Sequence, residues 1–202
     1  MGDSLNLPAC PIIICQHYQG ALEAFQYEGL QYALPETFST VVLFYNADLF
    51  DQASIDYPNA DWTWEDAIAA GQAIRALDED TWGIYSPIQF WEFYKRAAQF
   101  GCEFFNEDRT ESLINEPPCV DALTTMISLI ELDVMPDPAE MGGVGDSELF
   151  QNGQLGMVVT GIWMIPAFQE VEFAWDIAVE PGQVNDAYHF FSNGISISTT
   201  TE

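Results

Sequence analysis

The sharpest change of pattern along this chain lies in Tyr32–Phe50, YALPETFSTVVLFYNADLF. An extended segment enters through Pro35, becomes a β-branched run, and gives way to a helix opening at Asn46. Thr40–Tyr45 predicts a buried strand, and Asn46 suits the N-cap of a short helix, Ala47–Ala53. A second segment, Phe150–Pro166 (FQNGQLGMVVTGIWMIP), reads as a helix end stopped by Gly153, a buried strand over 155–160, and a tryptophan at a strand-to-helix junction. Between them, Thr63 and Asp66 form a capping pair. The helix they open runs to about Leu77 and turns Ala67, Ile68, Ala70, Gly71, Ile74 and Leu77 inward. Trp82–Tyr85 predicts a short strand, and Phe90–Phe100 a helix ended by Gly101. Pro117-Pro118 opens a helix to about Leu132 that carries Val120, Leu123, Ile127 and Ile130. Ser147–Asn152 and Trp163–Phe168 predict short helices, Ala174–Val179 and Gly194–Ile197 further strands. Upstream, Glu28-Gly29 is the turn of a hairpin flanked by 25–27 and 30–33. Pro35, with no amide proton, ends that pairing. Strands alternate with helices throughout, which defines an α/β fold.

Composition narrows the function before any motif does. The chain has 202 residues, 49% of them hydrophobic, enough for one substantial core or two small ones. Its 32 acidic and 4 basic residues give a formal charge of −28. That excludes nucleic acid and anionic membrane surfaces as partners, since both require clustered cations. High apolar content beside high charge implies a folded chain with an acidic surface, of the kind suited to saline surroundings. At about 1 M salt the Debye length is roughly 3 Å and self-repulsion is screened. No apolar run reaches the length of a membrane span. Residues 8–15, PACPIIIC, are short and lack a preceding basic residue, so they read as neither signal peptide nor lipid anchor.

The candidate chemistry is sparse. None of the 4 cysteines forms a Cys-x-x-Cys pair and only 2 histidines are present, so a zinc site is not expected. Cys102 and Cys119 are either bridged, as an oxidising compartment would allow, or packed as two buried thiols. No nucleophile elbow, phosphate loop or zinc-protease motif appears, and no cofactor is implied. Asp146 and Glu148 stand two apart, which is not a calcium-loop spacing. Among the aromatics, Trp64, Phe93 and Tyr94 read as core. Trp163 differs, because an indole beside Gly161 at a strand end can project into a cleft. There its face can stack on the C–H face of a sugar ring while polar neighbours hold the hydroxyls.

The Tyr32–Phe50 and Phe150–Pro166 segments resemble the paired crossover regions of extracellular solute-binding proteins of ABC importers, in the sugar-binding, maltose-binding-protein-like family. The resemblance covers roughly residues 25–200 and implies a type II periplasmic-binding-protein fold present in part, mainly the second lobe plus hinge strands. It implies an irregular segment over 1–24, a first-lobe remnant and hinge strand over 25–44, a second lobe over 45–168, and a returning hinge segment over 169–202. The rest of the first lobe would precede Phe25, and the final helices would follow Glu202. By this resemblance GIYSPIQFWEFYKRAAQFG places Phe90 and Trp91 over the ligand, and GIW places Trp163 against it. Ser39 falls where relatives carry a polar contact, and FFSNGISIS brings Asn193 and Gly194 beside the cleft. The implied function is non-catalytic capture of a sugar or oligosaccharide for a membrane permease, in the periplasm or at the cell surface. Two other readings stay open: a fragment or accessory module of a carbohydrate-active enzyme, and a degenerate remnant without affinity.

Overall fold

A computed structural model describes residues 18–198. Pro8–Cys15 and His17, and with them Cys10 and Cys15, lie outside the described residues. The chain divides into two compact units. One joins the residues up to Thr40 with those from Phe190 onward, and the other is Val41–His189.

The first unit opens with α1 (Gln19–Glu23) and a hairpin of β1 (Gln26–Tyr27) and β2 (Leu30–Gln31). The hairpin turns where the sequence places it. Glu28 and Gly29 both take positive φ, 51° and 76°, as a two-residue turn requires. The strand β3 (Leu34–Asn46) begins in this unit, where its residues 34–40 pair antiparallel with β7 (Phe190–Ile195). The hairpin pairing ends at Gln31, before Pro35, and β3 starts earlier than the expected Thr40, taking Pro35 as its second residue. The ladder accommodates it with a register shift between Pro35 and Thr37. β7 also starts four residues earlier than the expected Gly194, because Phe190–Asn193 follow the β3 ladder. Tyr18, Phe38 and Phe190 stack here, with ring centroids 5.6–6.0 Å apart.

The second unit is an α/β layer structure around residues 41–46 of β3. In chain order it contains α2 (Ala47–Ala53), α3 (Trp64–Arg75), β4 (Trp82–Tyr85), α4 (Phe90–Gln99), α5 (Pro117–Glu131), α6 (Asp146–Gln151), β5 (Leu155–Gly161), a 3-10 turn (Ile162–Met164), α7 (Ile165–Phe168) and β6 (Trp175–Ala178). The strand order is β4-β5-β3-β6, with β4 parallel to β5 and the other pairs antiparallel. Both sheet faces are covered, which is why β3 and β5 read as continuous apolar runs. Val41, Leu43, Tyr45, Met157 and Val159 pack on one side with Phe50, Trp64, Ala67, Ile74 and Leu129. Phe44, Leu155 and Val158 pack on the other with Leu149, Phe150 and Phe168.

The caps behave as the sequence implies. Leu49 N–H donates to Asn46 Oδ1 at 3.2 Å, and Thr63 with Asp66 forms a reciprocal capping box. On α3, Trp64, Ala67, Ala70, Gly71 and Ile74 are buried, while Ile68 and Leu77 pack at the core margin. A Cβ on Gly83 would strike the backbone of Gly71, so α3 and β4 approach at a distance only glycine permits. On α5, by contrast, Val120, Leu123 and Ile127 stay exposed, and Cys119, Ala122, Met126 and Leu129 form the buried face. Small Cys119 and Ala122 let that face sit close to its neighbours. Cys102 and Cys119 are bridged, with Cα atoms 4.8 Å apart.

Candidate functional site

The parallel strands β4 and β5 end side by side, and a cavity of about 200 Å³ lies at their carboxyl ends. Ligand crevices in α/β sheets lie at this position. Tyr85 and Pro87 line it from the end of β4, and Thr160 and Gly161 from the end of β5. Gln89 and Trp91 arrive from the start of α4, Asp146 from the first residue of α6, and Trp163 from the turn after β5.

Two local features set the indoles. Gly161 has no side chain, and the Trp163 ring folds back into the space that a Cβ there would fill. Trp163 is nevertheless 53% exposed, so its ring is a surface facing the cavity and not part of the core. Trp91 is half-buried, and its Nε1 donates to Gln89 Oε1 at 2.7 Å. The polar groups around them are mixed. Asp146 brings a carboxylate, Thr160 a hydroxyl, Gln89 an amide and Tyr85 a phenol. Burial, then the charge of Asp146, raises the proton affinity of the Tyr85 phenolate, so the phenol stays neutral. Aromatic faces beside hydroxyl-binding groups form a surface for a polyol ring. Sites that enclose a drug-sized ligand measure roughly 300–1,000 Å³, so this cavity is smaller than those.

Of the six residues singled out from sequence, the structure brings Trp163 and Trp91 together. Phe90, 79% exposed, lines a separate apolar cavity of about 270 Å³ with Phe93, Phe104, Phe105, Ser112 and Ile114. Ser39, Asn193 and Gly194 belong to the other unit. There Ser39 pairs with Phe191 and Gly194 with Pro35 in the β3–β7 ladder, while Asn193 Nδ2 donates to Thr37 Oγ1 at 3.1 Å. Trp64 is fully buried, as expected, whereas Tyr94 is 40% exposed and Phe93 half-buried, so neither is core. Tyr94 is displaced outward because the inward positions of α4 are taken by Glu92, Lys95, Arg96 and Gln99.

Sequence reasoning missed Tyr85, Gln89, Asp146 and Thr160. Their common signal is position: each lies at the end of a predicted strand or the start of a predicted helix. Among the described residues no cluster of His, Cys, Asp and Glu could hold a metal, and no helix is long and apolar enough to cross a membrane.

A two-faced α/β sheet with an aromatic and polar cavity at its carboxyl edge defines a class of small-molecule binding proteins. The sequence profile of the bacterial extracellular solute-binding proteins matches residues 17–202, and the chain belongs to that family. Among solved structures it is similar to the ABC substrate-binding protein Lmo0181 of Listeria monocytogenes in complex with cycloalternan. The two are 45% identical with a TM-score of 0.85 over 92% of this chain and 48% of that one. It is 29% identical to a Brucella abortus protein named only for binding, across 71% of this chain and 35% of the relative. With an arabinooligosaccharide-binding protein of Halalkalibacterium halodurans it shares 20% identity over 77% of this chain and 35% of the relative. The chain thus spans about a third of the curated relatives it matches and about half of the solved one.

Proposed function

We propose that this chain is the sugar-capturing part of an ABC-type importer's solute receptor, working without covalent chemistry. The observation that carries the reading is the meeting of Trp163 and Trp91 with Asp146, Gln89 and Thr160 in one cavity at the ends of β4 and β5. The Listeria structure is named for a bound cyclic oligosaccharide, and the Halalkalibacterium relative for oligosaccharide binding. In this reading residues 45–168 supply the second lobe, 25–44 a remnant of the first lobe with a hinge strand, and 169–202 the returning hinge segment. The receptor works in the periplasm or at the cell surface and delivers its solute to a membrane permease.

Indoles lie on the C–H faces of the sugar, and the carboxylate and amide accept and donate to its hydroxyls. Titration calorimetry of the full chain with cycloalternan and with maltotetraose is the direct test. Saturable heat from either supports the reading. Flat isotherms with both, together with turnover of a chromogenic glycoside, would overturn it in favour of the glycosidase reading.

A further inference from the structure

Helix α4 is built inside out. Its charged residues Glu92, Lys95 and Arg96 are buried, as is Gln99, while Phe90 and Tyr94 face outward. Buried Glu180 completes the set, so two carboxylates face two cations. Lys95 Nζ meets Glu92 Oε1 at 2.6 Å and contacts Glu180 Oε2 directly. Arg96 donates to Ser86 Oγ at 3.1 Å, and its guanidinium lies over the Trp64 ring at 3.1 Å. Trp64 Nε1 in turn donates to Gln99 Oε1 at 2.8 Å, and Gln99 Nε2 donates to the Ala187 carbonyl at 2.9 Å.

Burying such a set costs several kcal/mol per ion in desolvation, and apolar side chains would fill the space at less cost. What the network supplies is register. It fixes α4 against the segment from Glu180 to His189. That segment ends in a buried imidazole packed against Trp91, centroids 5.2 Å apart, and edge-on to Tyr94 at 5.4 Å.

We infer that His189 is a positioning residue for Trp91: its ring is a wedge behind the indole, and the buried ion network holds wedge and helix in register. The geometry is independent of the ligand; the consequence for binding rests on the sugar reading above. From α4, Glu92, Lys95, Arg96 and Tyr94 face the imidazole or its network, and its own segment brings Glu180, Asp186 and Tyr188. Burial and then the Lys95 charge lower its proton affinity, against opposing pulls from Glu92 and from a hydrogen bond to the Trp91 backbone, so the wedge is neutral at neutral pH. Protonation would add a third cation to a balanced set.

The test uses the full chain labelled with 5-fluorotryptophan, with the Trp91 fluorine line assigned by its loss in Trp91→Phe. In His189→Ala the Trp91 line should move and broaden, and maltotetraose affinity should fall about tenfold. His189→Phe, which keeps an aromatic wedge, should restore the line and most of the affinity, and should remove the movement of the line on acidification. A Trp91 line unmoved in His189→Ala, or one that His189→Phe fails to restore, overturns the inference. Absence of any maltotetraose binding by the unaltered chain would count against the sugar reading instead, and the fluorine line would still decide the wedge.

Discussion

Helices α3 and α4 lie in the same unit and obey opposite rules. On α3 the apolar residues Ala67, Ala70 and Ile74 are buried, with Glu65 and Asp66 outside. On α4 charges go in and aromatics come out. The first arrangement follows from the hydrophobic effect alone. In the second, the inward cations Lys95 and Arg96 face the buried carboxylates Glu92 and Glu180, while the half-buried Trp91 lines the cavity beside Trp163. Two of the chain's 4 basic residues are spent on this network.

Changes on α4 should break this contrast most visibly. Lys95→Met strands buried Glu180 and leaves Glu92 with Arg96 at 3.9 Å, and should cost about 3–5 kcal/mol in denaturant unfolding. A surface ion pair would lose under about 1 kcal/mol, so a small loss would show that the network is not the anchor it is taken for. The disulfide comes next. It joins residues 17 positions apart in sequence, between the end of α4 and the start of α5. Replacing both Cys102 and Cys119 by serine should cost about 3 kcal/mol by loss of that constraint, read by the same unfolding assay; an unchanged midpoint would contradict it.

The surface gives smaller and more diffuse effects. Among the described residues Glu92 and Glu180 are the buried acids, so nearly all of the −28 charge faces solvent. The melting temperature should rise from dilute buffer to molar salt, and a flat response would remove the case for a saline setting. The pH response has a defined sign. The folded-state pKa of His189 lies below the ordinary 6.5. Its contribution is therefore complete above 6.5 and is lost as pH falls toward the folded value. Glu180, raised by burial, acts oppositely as pH rises above its ordinary 4.5. In His189→Phe the loss of stability on mild acidification should be reduced; an unchanged pH profile would exclude His189 as its source.

Much of the fold was legible because local chemistry and tertiary context agree. Asn46, Thr63 with Asp66, Gly101 and Pro117 mark real helix ends, and the apolar runs of β3 and β5 mark a sheet covered on both faces. The start of β3 was not legible: the apolar run marks Thr40–Tyr45, and the strand reaches back to Leu34 because residues 34–40 pair with β7. On α5 the row Val120, Leu123 and Ile127 does not mark the buried face, because Cys119, Ala122, Met126 and Leu129 hold the inward side of the helix. Of the candidate site, Trp163 and Trp91 were visible as aromatics at element boundaries. Asp146 was not: one carboxylate among 32 acidic residues carries no signal until the start of α6 brings it into the cavity that Trp91 and Trp163 line. His189 and its four charged neighbours were invisible for the same reason, since pairing across 85 residues, as between Lys95 and Glu180, leaves no local pattern.

The most direct measurement is calorimetric titration of cycloalternan and maltotetraose into the unaltered chain and into Trp163→Ala. Trp163 is half exposed, so truncating it should leave the far-ultraviolet circular dichroism unchanged. Affinity should weaken at least about tenfold, or ~1.4 kcal/mol. Equal isotherms for a folded Trp163→Ala would contradict the claim that an indole platform at the strand ends holds the sugar.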